Sequence, residues 1–272
     1  TPLSSSAASD VYKRQEKHYV KDPNVFFTEY GGVFTDRSKG WIERESDLME
    51  CVDPNLKPRT GAKSKAPHFI GIDLGLVGDG TAIAIGHINT ENEIVLDLVD
   101  QIKAGEGDYA NKDRLEFDDV ADWILELSKK FYLSEGLFDQ WAGIPLEQAL
   151  IKRGLRRFRS ESMTKQKSSE MYKNFKDMMF DKRLKLYDHP IPEGKEHCEY
   201  IQELLSLQAT YHSKFVTTVE APNAEGKHDD MSDALCRMIW LASQQLGNQK
   251  YMVGHRKTCL LYTSDAADDD RG

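Results

Sequence analysis

The sequence predicts a mixed α/β fold, an antiparallel meander followed by alternating helices and strands. Three short apolar runs, PHFIGIDLG (67–75), GTAIAIGHI (80–88) and EIVLDLVD (93–100), are separated by short spacers of four residues each. That spacing suits hairpin connections between antiparallel strands. Downstream, segments of helical period alternate with short strand-like runs, an order that adds parallel strands to the sheet.

The elements after the meander follow from local signals. FDDVADWILELSKKFY (117–132) places Val120, Ile124, Leu127 and Phe131 on one helical face, with Asp118 as its N-cap. EGLFDQ (135–140) reads as a fourth strand. Pro145 then opens a helix that Gly154 closes after Lys152 and Arg153. LRRFRS (155–160) reads as a fifth strand, and a helix from about residue 169 carries Met171, Phe175, Met178 and Met179 on one face. A further helix is expected over 195–211, a strand over KFVTTVEAP (214–222), and a final helix over HDDMSDALCRMIWLASQQ (228–245). The organised domain is therefore placed at 67–246. Residues 16–66 read as a linker or a remnant of a preceding domain, ending in the Lys/Pro/Gly-rich KPRTGAKSKAP. Residues 1–15 and 247–272 show no period and are expected to be disordered tails. Both ends also resemble translated sequencing-adapter sequence, so the gene is expected to continue beyond them.

Composition narrows the class. Hydrophobic residues make up 39% and charged residues 30% of 272, ordinary for a globular chain. No apolar run approaches the roughly 18–20 residues needed to span a bilayer, and no membrane partner is expected. Thr1 to Gln15 contains no signal-peptide core. Cys51, Cys198, Cys236 and Cys259 form no C-x-x-C pair, which argues against a zinc knuckle or a disulfide framework and fits a reducing cytoplasm. A net charge of −9 works against nucleic-acid binding in general. Its distribution is uneven, however: Lys152, Arg153, Arg156, Arg157, Arg159, Lys165 and Lys167 face one acid, Glu161, in the same stretch. Such a stripe can hold phosphates. It reads equally as helix-end and strand-edge cations in solvent.

The acidic residues carry the sharper signal. Asp73 ends the first strand on the face of Phe69 and Gly71, opposite Ile70 and Ile72. Asp139 ends the fourth strand. Asp230 and Asp233 share a helical face with Arg237, while Met231, Leu235, Met238 and Ala242 form a separate apolar stripe. Mg²⁺ and Mn²⁺ take oxygen ligands, and two such ions about 4 Å apart clamp the attacking and leaving oxygens of a phosphodiester. Crowded carboxylates repel one another without cations, so stability alone does not favour the arrangement. Asp73 also suits a turn start, Asp139 a cap, and Asp229 and Asp230 a helix start favoured by the dipole. Asp229 fits that last role best. Asp233, inside the helix and flanked by apolar residues, fits it least.

At this point four segments together resemble a known family: GIDLGLVGDGTAIAIGH, GLFDQWAGIPLEQAL, SSEMYKNFKDMMFDKRLKLYDH and VTTVEAPNAEGKHDDMSDAL. They are similar to the C-terminal nuclease domain of large terminase subunits of tailed phages, over roughly 67–245, with HDDMSDAL the most specific piece. EYGGVFTDRSKGWIERESDL (29–48) is similar to the segment linking that family's ATPase domain to its nuclease. The resemblance implies an RNase H-like fold and a cluster in which Asp73, Asp139 and Asp233, with Asp230 beside them, ligate two Mg²⁺ or Mn²⁺ ions. It implies an endonuclease that cuts double-stranded viral DNA during genome packaging. In the full-length protein an ATPase domain, a small terminase subunit and the portal would be partners. The setting would be the host cytoplasm, transiently at the procapsid portal. No G-x-x-x-x-G-K-[ST] phosphate loop occurs, so this chain is not expected to hydrolyse ATP. Other readings stay open: a junction resolvase or transposase on the same fold, an actin-like or sugar-kinase ATP-binding domain suggested by GIDLG, and a non-enzymatic packaging module.

Overall fold

The computed structural model describes residues 39–62, 66–77, 80–140, 143–213, 216–224 and 228–262. The predicted N-terminal tail, residues 16–38 and the last ten residues lie outside the described residues.

Strands β2 (His68–Asp73), β3 (Thr81–Ile88) and β4 (Ile94–Ile102) form the antiparallel meander. β5 (Leu133–Asp139) pairs parallel with β2, β6 (Phe158–Glu161) parallel with β5, and the short β7 (Leu184–Lys185) parallel with β4. The six-stranded sheet thus runs in the order β6-β5-β2-β3-β4-β7. Helices α2 (Phe117–Lys130) and α3 (Gly143–Lys152) cover one face, burying Val120, Ile124 and Leu150 against Ile70, Ile72, Ile83 and Ile85. The other face carries α4 (Lys165–Phe180), α5 (Glu199–Ser206) and the long α6 (Asp230–Tyr262).

The side-chain alternation of β2 and β3 explains the two faces. Isoleucines at 70, 72, 83 and 85 point to α2, while Gly71, Ala82 and Ala84 point to α6. A lane of small residues lets α6 lie directly on the strands. A Cβ built on Gly71 would sit 2.0 Å from the Ala234 carbonyl oxygen and 2.5 Å from the Met238 amide nitrogen. The predicted stripe Met231, Leu235, Met238 and Ala242 is buried, and so are Ala234, Cys236, Ile239 and Leu241, because α4 and α5 cover the helix from its other side.

A second sheet corrects the sequence reading. In the order β1-β8-β9, it joins β1 (Lys39–Gly40), β8 (Gln208–Ser213) and β9 (Val216–Glu220), and it packs on α4 through β9. The helix expected over 195–211 covers only Glu199–Ser206. Leu207 turns to an extended conformation with its side chain buried, and the next residues pair with β9. Part of the segment read as a linker is built into the domain. Trp41, Ile42, Leu48 and Cys51 are buried, with Leu48 in the short helix α1 (Glu45–Met49), and Val52 bridges to Leu186. Smaller corrections follow from caps. Helix α2 is capped by Glu116 in a reciprocal capping box with Asp119, leaving Asp118 in the first turn. Helix α4 starts at Lys165 because the Thr164 hydroxyl accepts the Lys167 amide. Helix α6 continues to Tyr262, beyond the predicted end at 245 and through part of the expected tail. The added stretch has no proline and many good helix formers, and each added residue gains a hydrogen bond at little ordering cost.

Candidate active site

Parallel pairing of β2 with β5 runs through Gly71↔Leu137. Two residues further along each strand, Asp73 and Asp139 close the same sheet edge. Asp139 is in turn registered with Glu161 of β6. Three neighbouring strands thus end on carboxylates. The close crossing at Gly71 brings the first turns of α6 to this edge, carrying Asp230 and Asp233.

A buried arginine organises the centre. Arg237, 5% exposed, puts Nη1 at 2.5 Å from Asp73 Oδ1 and 2.9 Å from the Ile72 carbonyl oxygen, and Nη2 at 3.1 Å from Asp233 Oδ2. The Tyr172 hydroxyl of α4 donates to Asp233 Oδ1 at 2.5 Å. Burial pushes the Asp233 carboxyl up, the Arg237 guanidinium pulls it down and Asp73 pushes it up again; the net direction is upward. Burial raises the Tyr172 phenol far above its ordinary value, with Asp233 adding to it, so it stays a donor. Asp230, nearly buried, accepts from Gln101 Nε2 at 3.0 Å. Asp229 accepts the Ala221 amide at 3.0 Å, which ties the start of α6 to the end of β9.

The structure divides the basic stripe. Lys152, Arg153, Arg156 and Arg157 precede β6 and lie toward the sheet end away from the carboxylates; the Arg157 carbonyl accepts the Gly136 amide. Arg153 is bound up with Asp118 at 2.9 Å and Asp122 at 2.7 Å. Arg159 and Lys167 lie toward the acidic edge, 3.3 and 3.0 Å from Glu161, and Lys167 also stands 4.5 Å over the Trp240 ring, one helical turn beyond Arg237. Lys165 is exposed in the first turn of α4.

Sequence reasoning missed Tyr172, Gln101, Glu161 and Glu203 as neighbours of the acids. Only the Asp233/Arg237 spacing of four residues carried a local signal. Glu203 of α5 accepts the Ser232 amide at 2.6 Å, closing the start of α6. Burial pushes its carboxyl up to about 8, opposed by the Ser232 amide and assisted by Asp230 and Asp229. From the ordinary value of 4.5 up to about 8, the folded state therefore holds a proton that the unfolded chain releases. Stability is fully present below that window and falls as pH rises through it. In EDTA, Glu203→Gln should melt at the wild-type temperature below pH 4.5 and at a higher temperature above pH 8. Parallel melting curves of the two proteins across this range would contradict the assignment.

No family model matches the chain, and no curated protein matches it. Among solved structures, it is similar to the large terminase nuclease of thermophilic phage G20c, with a TM-score of 0.53 and 14% identity over 71% of this chain and 95% of that one. The same nuclease with bound magnesium matches with a TM-score of 0.53 and 13% identity, over 71% and 94%. The large terminase of bacteriophage HK97 matches with a TM-score of 0.56 and 12% identity, covering 75% of this chain and 43% of that one. These likenesses fix the architecture: the mixed sheet between helical layers is the RNase H-like fold of terminase nuclease domains.

Proposed function

We propose that the chain is a metal-dependent endonuclease that cuts double-stranded DNA during viral genome packaging, the nuclease part of a large terminase subunit. The observation that carries the reading is the convergence of Asp73, Asp139, Asp230 and Asp233 at one edge of this fold. The donor set fits hard divalent cations, since every candidate ligand is a carboxylate oxygen. The Arg237 guanidinium between Asp73 and Asp233 indicates that the pocket already needs positive charge.

Asp73, Asp139 and Asp233, with Asp230 beside them, would hold two Mg²⁺ or Mn²⁺ ions. Such ions, when bound, neutralise the phosphodiester and lower the pKa of attacking water. The chain's own groups do the rest. Arg237 and the Tyr172 hydroxyl fix the carboxylates of Asp73 and Asp233 in place. Arg159 and Lys167 offer cations to the phosphates at the mouth. In-line attack by water leaves a 3′-hydroxyl and a 5′-phosphate, with no serine or tyrosine adduct. An ATPase domain, a small subunit and a portal would complete the packaging role, in the host cytoplasm and transiently at the procapsid.

Incubation of the chain with plasmid DNA and Mn²⁺ should give linear and shorter products that EDTA suppresses. Persistent absence of cleavage would overturn the enzyme reading, and cleavage confined to four-way junctions would replace it with a resolvase. The divided stripe gives a second expectation. Replacing Arg159 and Lys167 together with Ala should lower the slope of log affinity against log salt by about 0.9 per lost phosphate contact. Replacing Lys152, Arg156 and Arg157 should leave the slope near its starting value. The reverse pattern would place the DNA at the other end of the sheet.

A further inference from the structure

At the end of the sheet away from the carboxylates, three polar side chains meet inside the protein. His68 opens β2 and is registered opposite His87 of β3. Asp97 comes from β4 at a bulge: Ile85 pairs with Leu98 and Gly86 with Leu96, so Asp97 is the extra residue of the ladder. The ligand atoms of these three residues lie within 4.8 Å of one another. His68 and Asp97 are almost completely buried, at 1% and 0% exposure of their side chains, and His87 reaches the rim at 15%. The five-residue span of β2 sets this cluster about 16 Å from Asp73, on the opposite face of the sheet.

The hydrogen bonding leaves His68 with an unmet requirement. Its Nδ1 lies 2.7 Å from the Ala66 carbonyl oxygen, which can only accept, so Nδ1 carries the proton. The neutral ring then presents a bare lone pair at Nε2, which has no hydrogen-bond partner. Across 3.5 Å it faces Asp97 Oδ2, another acceptor. Two buried acceptors facing each other are costly unless a cation lies between them. His87 Nδ1 points at the same oxygen from 2.6 Å. Arg59 lies 2.9 Å from the other carboxylate oxygen, Oδ1, which leaves Oδ2 for the cluster.

The geometry points to a second metal site, formed by His68 Nε2, His87 Nδ1 and Asp97 Oδ2, for a divalent transition metal of the zinc class. Two imidazoles and one carboxylate select such an ion over Mg²⁺. Tetrahedral zinc with bonds of about 2.0–2.1 Å needs ligand atoms about 3.3–3.4 Å apart, and the present separations of 2.6 and 3.5 Å bracket that edge. Small side-chain movements suffice, with His87 taking the tautomer protonated at Nε2. The surroundings go part of the way to what metal-bound histidine and carboxylate require: the Ala66 carbonyl fixes the His68 ring, and the Arg59 guanidinium is ion-paired with the outer oxygen of Asp97, which accepts no hydrogen bond. Three protein ligands leave one position for solvent on the His87 side. The ion would tie β2, β3 and β4 together behind the active edge, independently of the nuclease reading.

The test uses the full chain and Zn²⁺ alone. X-ray absorption at the zinc edge, with one equivalent bound, should show the multiple scattering of two imidazoles. Zn²⁺ should raise the melting temperature of the wild type and of the Asp139→Asn, Asp233→Asn double variant alike, the latter leaving Arg237 paired with Asp73. His87→Gln, altered at the rim with its fold checked by circular dichroism, should lose that shift. Its zinc affinity should fall by more than the roughly 10–100-fold that removal of an outer-shell partner costs. An oxygen-only shell or a single imidazole in the wild type would overturn the site whether or not the variant folds. So would a zinc-induced shift that survives His87→Gln or disappears with the carboxylates.

Discussion

Asp73→Asn should reduce Mn²⁺-dependent plasmid cleavage on the order of 10²–10³-fold or more, the scale on which removing a group that stabilises transition-state charge is felt. Asp139→Asn and Asp233→Asn should lose activity comparably. The crowding of acids in the sequence predicts that these variants are as stable as the wild type without metal, or more so, because repulsion is relieved. The structure changes that expectation for two of them. Arg237 is buried and bridges Asp73 to Asp233, so each substitution removes one of two counter-charges from an enclosed cation. Because Arg237 keeps the Ile72 carbonyl and the remaining carboxylate, the cost should be about 1–3 kcal/mol rather than loss of the fold. Urea denaturation in EDTA reads the stability, and gel assays with Mn²⁺ read the cleavage. Full activity in Asp73→Asn would end the nuclease assignment. Increased stability would mean that Arg237 does not depend on Asp73.

The second large effect is expected at a residue with no functional group. Gly71→Ala would place its methyl 2.0 Å from the Ala234 oxygen, 2.5 Å from the Met238 nitrogen and 3.0 Å from the Arg237 Cβ. Two of these three obstacles are backbone, so no rotamer change relieves them and α6 must move as a unit. The destabilisation should lie at the top of the roughly 1–3 kcal/mol range for overpacked cores. The displacement should also carry Asp233 away from Asp73, and a misplacement of about 1 Å can cost 10²-fold in rate. Gly247→Ala is the internal control on the same helix. Nothing lies within 4 Å of its added Cβ, and an alanine in an exposed helix should stabilise by about 0.5–1 kcal/mol. Wild-type melting and cleavage in Gly71→Ala would refute the close crossing of helix and strand.

Much of this frame was legible in the sequence for physical reasons. The meander showed itself because its strands are long and closely spaced, and Asp73 and Asp139 because both stand at strand ends. Asp233 was legible because a carboxylate within an apolar helix conflicts with its neighbours, whereas Asp230, the first residue of α6, suits a helix start equally well. What was hidden depends on partners far apart in the chain. Tyr172 reaches Asp233 across 61 residues, and in sequence it is simply one more large side chain beside Met171 and Phe175. β1 has two residues and pairs with a strand some 170 positions later, so no local period betrays it. The seven basic residues look continuous along the chain, yet β6 carries them from one end of the sheet to the other.

The lane of glycine and alanine under α6 has an evolutionary consequence. Because main chain meets main chain there, the interval between Asp73 and Asp233 is set by a backbone contact rather than by a sum of side-chain sizes. Lineages can exchange isoleucines for valines or leucines on the opposite face of the sheet, and drift far in composition, without resetting that interval. Mutational tolerance should therefore be lopsided: broad beneath α2 and α3, narrow at the few small residues on which α6 rests. A saturation library scored for folding and cleavage would display that asymmetry as two differently coloured sides of one sheet.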